Sequence, residues 1–276
     1  MIYKPEELIE LQKKECQILG EIDTFCRANK IEYFVIGGTA LGAVRHGGFI
    51  PWDDDIDIGM TRENYEKFVA LPANALGERY IIASRKNEKN CPFPYPKVRL
   101  KGTEFWNFCH YGIKNISTGV YVDVFPFDKI PKDQELYAEQ FKKVQKLCKI
   151  YTLKKQRNIG LPPHSIKSHL KQKLMVILWY LWKLIPDKFV LNKLNQEMTK
   201  YNNTESDEYS CLMFPKMYTE YANEQTLFPL REYSFENIRV MGPRDMDTYL
   251  TNHYGNYMEL PPENQRVGHQ PYKFKV

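Results

Sequence analysis

Carboxylates threaded with isoleucines, in the run Trp52-Asp53-Asp54-Asp55-Ile56-Asp57-Ile58, follow shortly after the turn-forming Gly37-Gly38-Thr39. In an extended chain successive side chains point to opposite faces. Ile56 and Ile58 can then enter a core while Asp55 and Asp57 share the other face. Their Cα atoms would stand roughly 6–7 Å apart. Two carboxylates at that spacing can converge on one Mg²⁺ or bridge a metal pair, clamping the attacking and leaving oxygens of a phosphoryl displacement. Acidic runs usually mark solvated loops or helix caps, and Asp is a poor strand former. Here Phe49-Ile50-Pro51-Trp52 precedes the run and Ile56, Ile58 and Met60 interleave with it, which a solvated loop does not need. Crowded Asp side chains also repel one another unless a cation offsets them.

A second β-type run, Val120-Tyr121-Val122-Asp123-Val124-Phe125-Pro126, holds a single charge among branched and aromatic residues. Such a charge is costly unless paired or metal-bound. Asp123 is therefore expected to be a third metal ligand, in preference to an ion pair with Lys97 or Arg99. Asp128, after Pro126-Phe127, reads as a turn or helix cap.

The order of elements is readable around these motifs. Residues 5–29 are expected to form a helix with Leu8, Leu11, Ile18, Ile22 and Phe25 on one face. Ile31 to Ile36 reads as a first strand, Leu41 to Arg45 as a short helix and Asn64 to Leu71 as another. Strands are expected near Tyr80–Ser84, Lys97–Leu100 and Val120–Phe125. Helical patterns fill Pro131 to about Asn203. Phe235 to Val240 reads as a strand, and a helix opened by Pro243 closes at Gly255. The fold class is α+β: a small mixed β-sheet with flanking helices plus a helical subdomain.

The segment from Gly37 through Gly59 resembles the defining motif of LicD proteins, phosphotransferases related to the fukutins and more distantly to the nucleotidyltransferase fold. Lys97-Val98-Arg99, Gly119 through Asp128 and Tyr254 through Pro262 agree with it, so the resemblance runs from about residue 30 to the C-terminus. It implies one LicD-type catalytic domain over residues 1–276. Residues 1–130 would be the nucleotidyltransferase-like core, 131–203 a helical subdomain, and 204–276 a C-terminal segment completing it.

The reaction implied is transfer of a phosphoryl-alcohol group, typically phosphocholine from CDP-choline. The acceptor would be a hydroxyl of a teichoic acid, lipopolysaccharide or capsular glycan precursor, in some cases lipid-linked. By the family's pattern Asp55 and Asp57 are the metal-binding pair and Asp123 the third catalytic acid. Asp53 would be an outer partner or a further ligand. Mg²⁺ or Mn²⁺, two ions with donor bound, would be the cofactor. The family's relatives generally carry Gly-Ser where this chain has Gly38-Thr39, a mild change that keeps a hydroxyl. Two readings compete with this one: a nucleotidyltransferase that releases pyrophosphate, and a non-catalytic scaffold for glycan assembly.

Several residues are candidates for contact with the donor. Backbone N–H groups at Gly37, Gly38 and Thr39 can meet phosphates where the turn feeds a helix. Arg45, Lys97 and Arg99 are candidate phosphate contacts, though each could equally belong to an ordinary solvated basic face. A choline head would need aromatic faces, and among the aromatics before and within the Asp123 strand, Trp106 or Tyr111 is the expected cage residue. His269 stands alone in the tail and reads as a surface or structural residue.

Composition sets outer bounds. The 276 residues, 43% hydrophobic and 26% charged, can bury a substantial core. Six cysteines without a C-x-x-C pair read as reduced and packed, and charges from Lys4 onward argue against a signal peptide. A cytoplasmic location is the expectation, with the inner face of the cell membrane as the further option. The run Leu174 to Trp182 is too short to span a bilayer, and a buried core helix is its default reading. Flanking lysines and paired tryptophans make a peripheral membrane contact the alternative. The net charge of +5 suits anionic lipid or polyphosphate. No nucleic-acid module is recognisable among the lysines, so no nucleic-acid partner is expected.

Overall fold

The computed structural model describes residues 4–107, 113, 115–155, 166–269, 271 and 273–276. Helix α1 (Pro5–Ala28) opens with Pro5 at its first turn beside Glu6 and Glu7, residues suited to the positive end of the helix dipole. It buries Leu11, Ile18, Leu19, Ile22 and Cys26 along one stripe, while Leu8 and Phe25 pack at its margin. The expected helix is thus present almost end to end.

The main sheet has seven strands. β1 (Phe34–Val35), β2 (Asp57–Thr61), β6 (Tyr121–Lys129), β4 (Lys97–Leu100) and β3 (Tyr80–Ala83) lie in that spatial order. β7 (Glu208–Ser210) continues the sheet beside the end of β6, and β8 (Tyr221–Asn223) pairs with β7. Only β2 and β6 run parallel; the other neighbours are antiparallel. The sheet is mixed and the architecture α+β, as the sequence implied. β5 (Glu104–Trp106) lies apart from it and pairs with the C-terminal strand β11 (Lys273–Lys275). Ile56, Ile58 and Met60 from the Asp run, with Val98, Val122 and Val124 from the neighbouring strands, are fully buried in the main core. That burial fixes the register, because a one-residue slip would turn every apolar side chain to the other face.

Five helices dress this sheet or the hairpin beside it: α1, α2 (Gly37–Arg45), α3 (Arg62–Val69), the short α7 (Glu224–Leu227) and α8 (Met246–Tyr254). A separate apolar cluster of Ile130, Tyr137, Phe141, Val144, Leu194, Met198 and Leu212 unites α4 (Gln134–Lys155) and α6 (Asp187–Met198) with the chain around β7. α5 (Ile166–Lys183) packs against α4. Among the described residues no helix is long and apolar enough to cross a membrane.

Three local expectations are corrected. The Phe235–Val240 strand is a hairpin of β9 (Arg231–Phe235) and β10 (Ile238–Gly242), joined through Glu236 and Asn237. Glu236 is held at φ +52, a conformation its sequence does not advertise. Its carboxylate accepts from the N–H of Phe49 at 3.0 Å, and its own N–H donates to the Gly47 carbonyl at 2.8 Å. Helix α8 begins at Met246, three residues after Pro243, because Asp245 caps it by accepting from the N–H of Thr248. Gly255 closes it at φ +68, as expected.

Asp128 neither caps a helix nor sits in a turn. It is a buried residue of β6, which runs past the expected end at Phe125. Arg62 Nε donates to its Oδ1 at 2.8 Å, and Asn202 donates to the same oxygen at 2.7 Å. The guanidinium also donates to Asn195 Oδ1 at 3.1 Å, so one buried pair ties α3 to α6 and the sheet. Removing one member of such a pair leaves the other charge buried and unmatched. Asp128→Ala is expected to lose about 3–5 kcal/mol of stability in urea unfolding, whereas breaking the exposed Lys67–Glu63 pair should leave the unfolding midpoint nearly unchanged.

Candidate functional site

The site forms where β1 turns into α2. Gly37, at φ +53, adopts a left-handed conformation that glycine reaches without strain, and it opens the helix instead of preceding it. The absence of side chains here lets carboxylates come close. A Cβ on Gly38 would fall 2.6 Å from Asp53 Oδ2, and one on Gly37 would fall 3.8 Å from Asp57 Oδ2. Asp53 and Asp57 thus lie against the start of α2, the end of the helix that favours anions. Thr39 is buried, and its hydroxyl accepts the N–H of Asp57 at 2.9 Å. This bond secures the first residue of β2 to the helix.

β2 starts at Asp57, so Asp55 lies in extended chain just before the strand and not within it. In the parallel register Asp57 is level with Asp123 of β6, and in the antiparallel register Asp123 is level with Lys97 of β4. Residues level on adjacent strands share a face. Two carboxylates from separate β-segments and one ammonium therefore form a row across the sheet.

Burial drives the electrostatics. It pushes the Asp57 carboxyl well above the ordinary carboxylate range, and the neighbouring Asp55 and Asp123 carboxylates add to the shift. Burial pushes Asp55 up to about 6, against the pull of His269, and Asp53 up to about 8, with Asp55 and Asp54 adding to it. Asp123 is raised by burial and held back chiefly by Lys97. Concentrated negative charge in a desolvated setting is what a bound cation offsets. The donors are carboxylate oxygens, which suits a hard divalent ion such as Mg²⁺ or Mn²⁺. Asp53, Asp55 and Asp57 line a cleft of about 780 Å³, so the residues fit the group the sequence implied.

His269 is the residue that sequence reasoning passed over. Its backbone N–H and its Nδ1 meet Asp54 Oδ1 at 2.7 and 3.0 Å, and Nδ1 stands 3.4 Å from Asp55 Oδ2. The hydrogen bond to Asp54 and the charge of Asp55 push the imidazole up to about 9, so it is a cation at neutral pH. Asp53, Asp54, Asp55 and His269 offer ligand atoms all within 4.8 Å of one another. More than 200 positions separate His269 from the motif, and no local pattern in the sequence signals that contact.

The other expected site residues are distributed differently. Lys97 is buried, donates to Asp123 Oδ2 at 2.7 Å and lies 3.6 Å from the ring centroid of Tyr121 and 4.4 Å from that of Phe93. The ion pair weighed against a third ligand is therefore present at Asp123. Arg99 is buried too, and its Nη1 donates to the Gly119 carbonyl at 2.6 Å. Neither basic side chain lines the cleft. Arg45 does, but its Nη1 donates to the carbonyls of Tyr257 at 2.8 Å and Glu259 at 3.2 Å, fastening the C-terminal segment over α2. Trp106 sits on β5, level with Lys273 and away from the cleft. Tyr111 lies outside the described residues.

The C-terminal segment supplies the opposite wall, through Tyr254, Asn256, Tyr257 and Glu259 to Pro262, with Trp52 and Phe214 adding aromatic surface. It is braced from behind. The buried Glu220 accepts from the Tyr249 hydroxyl and stands 2.9 Å from His253 Nδ1, while Tyr254 stacks on His253 at 3.9 Å.

Residues 30–155 match the family model described as LicD/FKTN/FKRP, nucleotidyltransferase domain. The chain is similar to the lipopolysaccharide cholinephosphotransferase LicD of Haemophilus influenzae. The two are 25% identical over 95% of this chain and 96% of that protein. An uncharacterized Rickettsia prowazekii protein is 46% identical over 45% of this chain and 53% of its own length. A short stretch is 50% identical to human ribitol 5-phosphate transferase FKRP, over 12% of this chain and 7% of that protein. With the motif, the α+β fold and these likenesses in agreement, residues 30–155 are a LicD-family domain.

Proposed function

We propose that this protein is a metal-dependent phosphotransferase that moves a phosphoryl-alcohol group, foremost phosphocholine from CDP-choline, onto a hydroxyl of a cell-surface glycan precursor. The observation that carries the reading is the level placement of Asp57 and Asp123 on adjacent parallel strands, beside a cleft that Asp53, Asp55 and Asp57 line. The Haemophilus relative, aligned nearly end to end, is a lipopolysaccharide cholinephosphotransferase, which favours a choline donor and a lipopolysaccharide-type acceptor. The FKRP relative transfers ribitol 5-phosphate, so the alcohol is the less constrained part of the donor.

The chemistry is an in-line displacement. The acceptor oxygen forms a bond to the choline-bearing phosphorus, the bond from that phosphorus to the bridging oxygen breaks, and CMP departs with the electron pair. The acceptor's proton passes to a cleft carboxylate, Asp53 or Asp55. A divalent ion held by Asp55, Asp57 and Asp123 would supply neutralising charge for the phosphoryl oxygens. The N-terminus of α2 presents backbone N–H groups beside the same carboxylates, where a donor phosphate could meet them. Protonated His269 holds Asp54 and offsets part of the negative charge of the run. For a trimethylammonium head, Trp52, Phe214, Tyr254 and Tyr257 of the cleft wall replace Trp106 as the candidate aromatic surface.

Purified protein incubated with Mg²⁺, a glycan acceptor and a panel of CDP-alcohols should release CMP, with CDP-choline best. Asp57→Asn should reduce turnover at least about 100-fold with the fold retained. Release of pyrophosphate from a nucleoside triphosphate in place of CMP would favour the nucleotidyltransferase reading. Tyr254→Leu should raise KM for CDP-choline more than for CDP-glycerol; equal changes would remove the aromatic wall from choline recognition.

A stability measurement tests the same carboxylates without turnover. A carboxyl raised in the folded state binds its proton more tightly there than in the unfolded chain. Stability therefore falls as pH rises above the ordinary carboxylate range toward the folded value. Without divalent ions, Asp57→Asn should melt above wild type at pH 8, with the gap closing toward pH 5. Added Mg²⁺ should raise the melting temperature of wild type more than that of the variant.

A further inference from the structure

One face of α5 carries apolar side chains that none of the described residues covers. Leu170, Leu174, Ile177, Leu181 and Leu184 follow one another at steps of four, three, four and three residues, and each is 55–80% exposed. That spacing places them in a single stripe along the helix. Tyr180, 56% exposed, borders the stripe. Its C-terminal end is anchored: the buried Lys154 of α4 donates to the carbonyl of Trp182 at 2.8 Å, and Lys155 pairs with Asp187 at 2.6 Å just beyond the helix. A firmly held helix thus presents a dry stripe outward, which a monomeric protein in water has no use for.

Charge decides what covers it. The helix sequence from Ile166 to Lys183 contains four lysines and no acidic residue, and Lys173 and Lys183 are exposed, as is Lys188 beyond its end. A second copy of the helix would offer Lys173 no carboxylate in return, because α5 contains none. An acidic surface is the complementary partner. Helices that lie in the headgroup region combine an apolar face with flanking lysines and an aromatic ring at the boundary, as α5 does with Lys173 and Tyr180. No described helix is long and apolar enough to cross the bilayer, so the contact is peripheral.

We infer that α5 docks this protein on an anionic phospholipid surface, with Leu174, Ile177 and Leu181 entering the acyl boundary and Lys173 and Lys183 meeting headgroup phosphates. The inference does not depend on the proposed reaction, since it is read by lipid binding alone.

Flotation with vesicles of phosphatidylcholine plus phosphatidylglycerol, against vesicles of phosphatidylcholine alone, tests it on the full chain. Wild type should float with the anionic vesicles only and be released by added salt. The triple variant Leu174→Glu/Ile177→Glu/Leu181→Glu should bind on the order of a hundredfold more weakly. Lys173→Glu/Lys183→Glu should lose roughly fivefold or more per residue. Far-UV circular dichroism and an unchanged melting temperature confirm that each variant is folded; a misfolded triple variant leaves the lysine pair to decide. Asp57→Asn should float like wild type. The inference is overturned if wild type does not float, if both folded variants float as wild type does, or if light scattering shows a dimer that the triple variant dissolves without any vesicle binding.

Discussion

The parallel pairing of β2 with β6 is the constraint from which the rest of the site follows. It sets Asp57 level with Asp123, and it can do so only because Ile56, Ile58, Val122 and Val124 are buried and lock the register. A slip of one residue would send the carboxylates into the core and the isoleucines into the cleft. In β2 the apolar residues thus decide where Asp57 points, while in β6 both faces are buried and Asp123 sits between Tyr121 and Phe125. Thr39 adds a second lock from α2, and Arg45 closes the C-terminal wall over the same helix.

The site is electrostatically unfinished, which is where stability and function separate. Four crowded carboxylates are raised by burial, and Asp53, Asp55 and Asp57 also by neighbouring carboxylates, with Lys97 and His269 as cations beside them. Lys97 lies among the rings of Phe93, Tyr95 and Tyr121 while it holds Asp123. A buried lysine so placed positions the third carboxylate without entering the cleft. His269 does similar work at the other end of the run, on Asp54 and Asp55. Negative charge that remains in the cleft is unfavourable for the resting fold and favourable for a divalent cation.

Much of this was legible locally, and what was not has a physical reason. The alternation of Ile with Asp announced which side chains enter the core, and the lone charge in Val120–Pro126 announced Asp123. The strand boundary at Asp57 was invisible, because alternation looks the same in a strand and in the extended chain before it. Asp128 was misread because its partner Arg62 is 66 residues away, and His269 because Asp54 is 215 residues away. The hairpin at Glu236 lacks the Asn-Gly or Gly turn that would mark it; tertiary bonds to Gly47 and Phe49 hold the strained residue instead. Arg45, Lys97 and Arg99 carried the right charge for phosphate, yet backbone carbonyls and Asp123 engage them. Spacing shows which face a side chain is on, but not which distant group meets it there.

Anomalous diffraction from crystals grown with Mn²⁺ and CDP-choline addresses the central claim most directly. The account predicts a peak bounded by oxygens of Asp57 and Asp123, with the donor's diphosphate against the N-terminus of α2. A cleft that binds the donor with no ion between those two carboxylates, or an ion held solely by Asp53, Asp54, Asp55 and His269, would contradict it.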